Sequence, residues 1–166
     1  LVIQIPNLVK SLITLVTFRI GTHLREEIDL QRIEIRSWSR QCLWSIQGDG
    51  DAQVQSELVR QGYGRVMFIT ISTAGCKGEE QDYEIENGLI RISIFLTELH
   101  DGRNDDWYPS FQPLPLLARS TEEQIEDEGA NEEIEAQMKN IGYNSGIKAW
   151  ANDVKAAILN HFIHSN

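Results

Sequence analysis

The sequence has few of the residues and patterns by which many protein classes are recognised. Among its 166 residues there are only two cysteines, Cys42 and Cys76. Two cysteines cannot build a disulfide framework, and a zinc site would need further ligands. We therefore predict two free thiols in a reducing compartment, which favours the cytoplasm.

Long apolar runs and basic clusters are also missing. A membrane-spanning helix needs about 20 consecutive apolar residues, whereas the best candidate, residues 8–20, is interrupted by Lys10. The formal net charge is −10, and contacts with nucleic-acid phosphates require clustered Lys and Arg. The sequence thus predicts no membrane span and no nucleic-acid partner.

The common catalytic motifs do not occur in the sequence. It contains no G-x-S-x-G, no Walker A loop, no G-x-G-x-x-G turn and no H-E-x-x-H, which are the patterns of nucleophile, phosphate and zinc sites. We expect no cofactor. Cys76 beside Lys77 is a candidate nucleophile, because a neighbouring cation lowers the pKa of a thiol. An exposed loop thiol is the simpler interpretation.

Several short segments are rich in β-branched residues. RIEIRSW (32–38) and LIRISIFLT (89–97) alternate apolar and polar residues, as in a half-buried strand. Asn87-Gly88 precedes the second segment, and this pair is the preferred centre of a type I′ hairpin turn. Further strand candidates are QCLWSI (41–46), RVMFITIST (65–73) and DYEIE (82–86). These segments predict a mainly antiparallel sheet of about four to five strands.

Helical patterns appear near both ends of the chain and in one short internal segment. Residues 8–28, after a possible cap at Asn7, place leucine and isoleucine along one face. Asp51 is a suitable N-cap for a helix over 52–61. Residues 146–163 repeat apolar side chains at 3.6-residue spacing, which predicts a C-terminal helix.

An acidic helix is predicted over residues 121–141. Ser120 and Glu123 match the capping-box pattern S-x-x-E just before it. A proline-rich connection, 108–120, leads into this helix. Together these elements predict a single α+β domain over 1–166, with an N-terminal helix and two C-terminal helices packed on the sheet.

The stretch FLTELHDGRNDDWYP (95–109) gathers a histidine and several carboxylates. Because alternate residues of a strand share a face, Glu98 and His100 are the pair that would converge on a metal ion or act in acid–base chemistry, while Asp101 lies opposite. The other interpretation is a solvated turn in which Arg103 pairs with a nearby acid.

Two features point to partner binding. WYPSFQPLPLL (107–117) concentrates aromatics, prolines and leucines outside regular structure, a composition suited to a contact surface. The alternative is a loop that packs across the sheet as part of the core. Between Thr121 and Glu135 there are eight acids and no base, which would either steer a basic partner or form a solvated face. The residues predicted to bind a partner are Trp107, Tyr108, Phe111, Leu114, Leu116, Glu126 and Glu133.

The function that these patterns favour is a non-enzymatic domain that binds another protein or assembles into a homo-oligomer, as viral or phage accessory and structural components do. One alternative is a small metal-dependent hydrolase centred on Glu98 and His100. Another is an acidic inhibitor or immunity-type protein that binds a basic partner.

Overall fold

A computed structural model describes residues 5, 7–18, 25–72, 82–139 and 145–164. Within these ranges there are eight helices and no β-strand, and an isolated antiparallel bridge joins Arg103 to Phe111. The helices are α1 (Leu8–Val16), α2 (Glu26–Gly48), α3 (Ala52–Arg60), α4 (Tyr63–Ser72), α5 (Asp82–Asp101), α6 (Pro115–Glu126), α7 (Ala130–Lys139) and α8 (Ser145–His164).

The predicted α+β fold with an antiparallel sheet is therefore wrong. Asn87 and Gly88 lie inside α5, and neither has the positive φ that a type I′ turn requires. The described residues of every segment predicted as a strand lie within helices: 32–38 and 41–46 in α2, 65–72 in α4, and 82–86 and 89–97 in α5.

The residues of α5 show why the alternating pattern was misleading. A strand would place Ile92 and Ile94 on the same face, but Ile92 is 1% exposed and Ile94 is 38% exposed. The residues that α5 buries against the core follow helical spacing instead: Ile85, Leu89, Ile92, Phe95, Leu96 and Leu99. The same segment thus fits both the two-residue alternation of a strand and the 3.6-residue repeat of a helix. Packing against the core selects the helix.

Gly88 has a packing role in place of the predicted turn. A Cβ atom built on Gly88 would lie 3.2 Å from Cγ1 of Ile71 and 3.7 Å from the carbonyl oxygen of Met67. The missing side chain therefore lets α5 approach α4 closely at this point.

The buried face of α2 is largely polar, which is the reverse of the sequence-based expectation. Ile35 and Trp38 are exposed, although the strand interpretation used Ile35 as part of an apolar face. The buried residues of α2 are Arg32, Arg36, Ser39, Arg40, Leu43 and Gln47. Hydrophobic periodicity cannot identify a helix whose inner face is built from arginine, serine and glutamine.

Two helices agree with the sequence prediction. The short helix predicted over 52–61 is α3, and the Oδ1 atom of Asp51 accepts hydrogen bonds from the backbone N–H groups of Gln53 and Val54, both at 3.0 Å. The C-terminal helix predicted over 146–163 is α8.

The N-terminal and acidic helices differ from their predicted bounds. Of the helix predicted over 8–28, residues 8–16 form α1 and 26–28 belong to α2, while 19–24 lie outside the described residues. Asn7 makes no side-chain capping hydrogen bond. The acidic helix predicted over 121–141 is two helices, α6 and α7, separated by a turn in which Gly129 has a φ of 80°. Ser120 lies inside α6, which begins earlier because Pro115 occupies its first turn.

The core is centred on α5, which packs against α4, α6 and α8 and also contacts α2. The rings of Tyr63 and Phe95 meet edge to face, with centroids 4.8 Å apart. Among the helices described, none combines the length and the apolar character that a membrane span requires.

The cap at Asp51 gives a direct test of the local structure. We expect Asp51→Ala to lower the free energy of unfolding by about 1 kcal/mol, because two N–H groups of α3 lose their acceptor. Asp49→Ala is the matched control: Asp49 is exposed at the C-terminal end of α2, and its loss should change stability by less than about 0.5 kcal/mol. Urea unfolding of both variants checks this, and equal losses would contradict the capping role.

Candidate functional site

The connection between α5 and α6 contains a closed loop, residues 102–111, which we call the Trp107 loop. Its ends are joined by two hydrogen bonds: Arg103 N–H donates to the carbonyl of Phe111 (2.8 Å), and Phe111 N–H donates to the carbonyl of Arg103 (2.9 Å). Gly102, with a φ of 78°, ends α5 and turns the chain into the loop. The loop is therefore closed at its base.

The side chain of Arg103 fixes the loop to the rest of the protein. It is 6% exposed, and its Nε donates to the carbonyl of Pro109 (2.9 Å) inside the loop. Its Nη1 donates to Glu98 Oε2 (3.4 Å) and reaches the carbonyl of Gln47 (3.5 Å), while Nη2 donates to the carbonyl of Gly50. One guanidinium thus joins the loop, α5 and the C-terminal end of α2.

Two aromatic rings of the loop pack on this guanidinium. The Cζ atom of Arg103 lies 4.7 Å from the ring centroid of Phe111 and 5.9 Å from that of Tyr108, within the range of cation–π attraction. Glu98 balances the charge and accepts a second hydrogen bond from Gln47 Nε2 (2.6 Å). Burial raises the pKa of Glu98, while Arg103 and Gln47 oppose this change.

The tip of the loop is held by an Asx turn. Asp105 Oδ1 accepts hydrogen bonds from the N–H groups of Trp107 (2.7 Å) and Tyr108 (3.2 Å). Ser110 Oγ donates to the carbonyl of Asp105 (3.3 Å) and accepts from its N–H (3.4 Å). This turn presents Trp107 with 89% of its surface exposed.

The residues predicted to bind a partner fall into three groups. Trp107, Tyr108 and Leu116 are exposed, the last at 82% in the first turn of α6. Phe111 is buried beneath the loop, and Leu114 packs partly against the core. The remaining two, Glu126 and Glu133, lie on α6 and α7.

The acidic run between Thr121 and Glu135 is partly paired with basic residues and a histidine. Five of its eight acids lie within 4 Å of a cation or a histidine. The pairs are Glu122 with His100, Glu123 with Arg119, Asp127 and Glu128 with Arg65, and Glu135 with Lys155. Glu133 accepts a hydrogen bond from Gln137. Because Arg65 is shared by two acids and His100 is charged only when protonated, three cations balance at most three of the eight negative charges.

Glu98 and His100 do not converge. Because they lie in a helix, two positions apart, they point to nearly opposite sides of α5. Glu98 faces Arg103, whereas His100 Nε2 lies 2.8 Å from Glu122 Oε1, with both of these side chains 7% exposed. Burial lowers the pKa of His100, and the charge of Asp101 opposes this change. The structure uses the two residues in separate contacts between helices.

Other features of a catalytic site are sparse in the part of the chain that the structure describes. There, no three His, Cys, Asp or Glu residues are grouped so that they could hold a metal ion. Cys76 and Lys77 lie outside the described residues. A cleft of about 120 Å³ beside α1 and α3 is lined by residues such as Asn7, Lys10 and Arg60, whereas small-molecule sites usually have about 300–1,000 Å³.

Comparison with protein-family models, with curated proteins and with solved structures gives no match for this chain. The site is therefore interpreted from its own geometry.

Some of the residues that support the loop were not predicted. The role of Asp105 could have been recognised from the sequence, because an aspartate side chain in a polar loop commonly accepts a hydrogen bond from the backbone N–H two residues further on, as in an Asx turn. Gln47 and Gly50 have no such signal, because they lie 56 and 53 positions from Arg103 in the sequence.

Arg103→Lys tests whether the several N–H donors of the guanidinium are required. Lysine keeps the charge but cannot contact Glu98, Pro109 and Gly50 together, so we expect a loss of about 2 kcal/mol or more in unfolding free energy. The control is Arg119→Lys. The side chain of Arg119 is 78% exposed in its ion pair with Glu123, so the unfolding free energy should change by less than about 0.5 kcal/mol. Denaturant unfolding measures both, and a neutral Arg103→Lys variant would show that the contacts are dispensable.

Gly102→Ala tests the closed base of the loop. A Cβ atom at this position would lie 2.7 Å from the carbonyl oxygen of Phe111, and the φ of 78° is strained for alanine. We expect a destabilisation of about 1–3 kcal/mol. Gly48→Ala is the control, since a Cβ there meets nothing within 4 Å and should leave stability unchanged or slightly raised. Thermal unfolding of the two variants should separate them clearly.

Proposed function

We propose that this protein is a non-enzymatic binding module that docks onto another protein through the Trp107 loop. The observation that carries this proposal is the 89% exposure of Trp107 on a loop held by a buried arginine. Tryptophan is enriched among the residues that dominate binding energies. Water contact with so much indole surface is unfavourable, and a partner that covers it would gain that free energy.

The rigidity of the loop supports a role in binding. A flexible loop loses conformational entropy when a partner immobilises it, and this loss reduces the affinity. Here the base is closed by the Arg103–Phe111 bridge and the tip by Asp105. The side chain of Trp107 is therefore presented by a backbone that is already ordered.

The polar groups around the loop also support binding in preference to acid–base catalysis. Glu98 is occupied with Arg103 and Gln47, and His100 is buried against Glu122. Both act as supports between helices and neither faces a cavity with the other. Their arrangement suits a scaffold for the loop.

The choice between another protein and a second copy of this chain is open to a simple measurement. Sedimentation velocity of the wild type and of Trp107→Ala, at concentrations up to the millimolar range, shows whether the loop mediates self-association. A homo-oligomer that dissociates in the variant would assign the loop to self-assembly.

The binding role is tested by selecting partners for the loop. Peptides from a random phage-displayed library, panned on the wild type, are measured against Trp107→Ala and against Trp38→Ala, whose tryptophan is 70% exposed on α2. We expect Trp107→Ala to weaken binding by at least about 30-fold and Trp38→Ala by less than about 3-fold, because central anchors contribute about 2 kcal/mol or more.

Both variants should keep the wild-type stability, since both side chains are exposed. Peptides that bind Trp107→Ala as tightly as the wild type would contradict the proposed role of the loop, and so would a library that yields no binder.

A further inference from the structure

The exposed charges of the Trp107 loop and of the last residue of α5 are all negative. Between Leu99 and Ala118 the exposed charged residues are Asp101, Asp105 and Asp106. The base in this segment, Arg103, is buried and already bonded. A partner that covers Trp107 therefore meets three carboxylates and no exposed cation of the same segment.

Two of these carboxylates lack a bonded partner in the described part of the chain, although the charge of Asp101 acts on His100 and opposes the lowering of its pKa. Neither Asp101 nor Asp106 accepts a hydrogen bond or forms an ion pair with a described residue. In the acidic run of α6 and α7, by contrast, Arg65 and Lys155 lie within 4 Å of three of the acids. Asp106 precedes Trp107 in the chain, and Asp101 ends α5, where the Trp107 loop begins.

We propose that the Trp107 loop recognises a cationic segment of its partner, with an arginine guanidinium stacked on the indole of Trp107 and paired with Asp106 and Asp101. This inference rests on the binding role proposed above and specifies the chemistry of the partner. Trp107 is adjacent to Asp106 in the chain, so a planar cation on the ring lies within reach of the carboxylate.

Arginine fits this site better than lysine does. Its planar guanidinium stacks on aromatic rings and bonds a carboxylate with two N–H groups, whereas an ammonium is a compact, strongly hydrated charge. The underside of the same loop shows this combination: the guanidinium of Arg103 packs on Phe111 and Tyr108 and bonds Glu98. The proposed partner would repeat that arrangement on the outer side.

The test uses three capped heptapeptides, Gly-Ser-Arg-Leu-Arg-Ser-Gly and its counterparts with lysine or glutamate in place of both arginines. Each is titrated into ¹⁵N-labelled protein while NMR records the indole N–H of Trp107 and the amides of the loop. We expect the arginine peptide to shift the Trp107 indole and the Asp106 amide. The lysine peptide should bind at least about 3-fold more weakly, and the glutamate peptide should cause no shift.

Variants identify the carboxylates involved. The double variant Asp101→Asn/Asp106→Asn should bind the arginine peptide about 5-fold or more weakly than the wild type does. Raising the salt from 50 to 300 mM should weaken the binding of this peptide to the wild type. The control is Glu132→Gln, an exposed acid of α7, which should leave the affinity unchanged. Equal shifts with the glutamate peptide, an unaffected double variant, or shifts confined to α6 and α7 would each overturn the inference.

The two proposals fail in different ways. If the library selects peptides that depend on Trp107 but carry no excess of arginine, the loop is a binding site and the cationic preference is wrong. If no selected peptide depends on Trp107, the binding role itself fails and the cationic preference fails with it.

Discussion

The buried guanidinium of Arg103 is the interaction on which the arrangement of the loop depends. Removing a charge from water costs several kcal/mol, and this cost is offset only when the ion is well bonded in the interior. Arg103 meets that condition because the last carbonyls of a helix lack intrahelical donors, and it bonds those near the end of α2 at Gln47 and Gly50. Glu98 supplies the opposite charge, so the loop is held where two helices end.

Polar contacts between α2 and α5 position the carbonyl groups of Gln47 and Gly50 relative to Arg103. Arg40 pairs with Glu84 at 3.0 Å, and Arg91 donates to Gln41 at 2.7 Å while it stacks over Trp44. Hydrogen bonds are directional, so such contacts define the rotation and register of α2 more narrowly than apolar packing does. We infer that this register brings the carbonyl of Gln47 to the guanidinium of Arg103.

The parts of this structure that could be predicted are those with local signals. Asp51 caps α3 and the apolar spacing of α8 is regular, so both helices were predicted correctly. The strands were wrong for two reasons. Packing selected the helical period of α5, and α2 buries arginine and serine in place of an apolar stripe. The support of the loop depends on contacts across about fifty residues, for which the sequence carries no local pattern.

The aromatic and acidic residues of the loop would affect different stages of binding. Long-range attraction between unlike charges acts before contact, so Asp101, Asp105 and Asp106 would raise the association rate with a cationic partner. The indole of Trp107 acts only after contact, when its surface leaves water, and its loss should mainly increase the dissociation rate. Because Asp105 also holds the turn through its Oδ1 atom, it contributes at both stages. A change at Asp105 would therefore alter both rate constants. A change at Asp106 would do so as well, because its carboxylate attracts the partner's cation before contact and pairs with it in the complex.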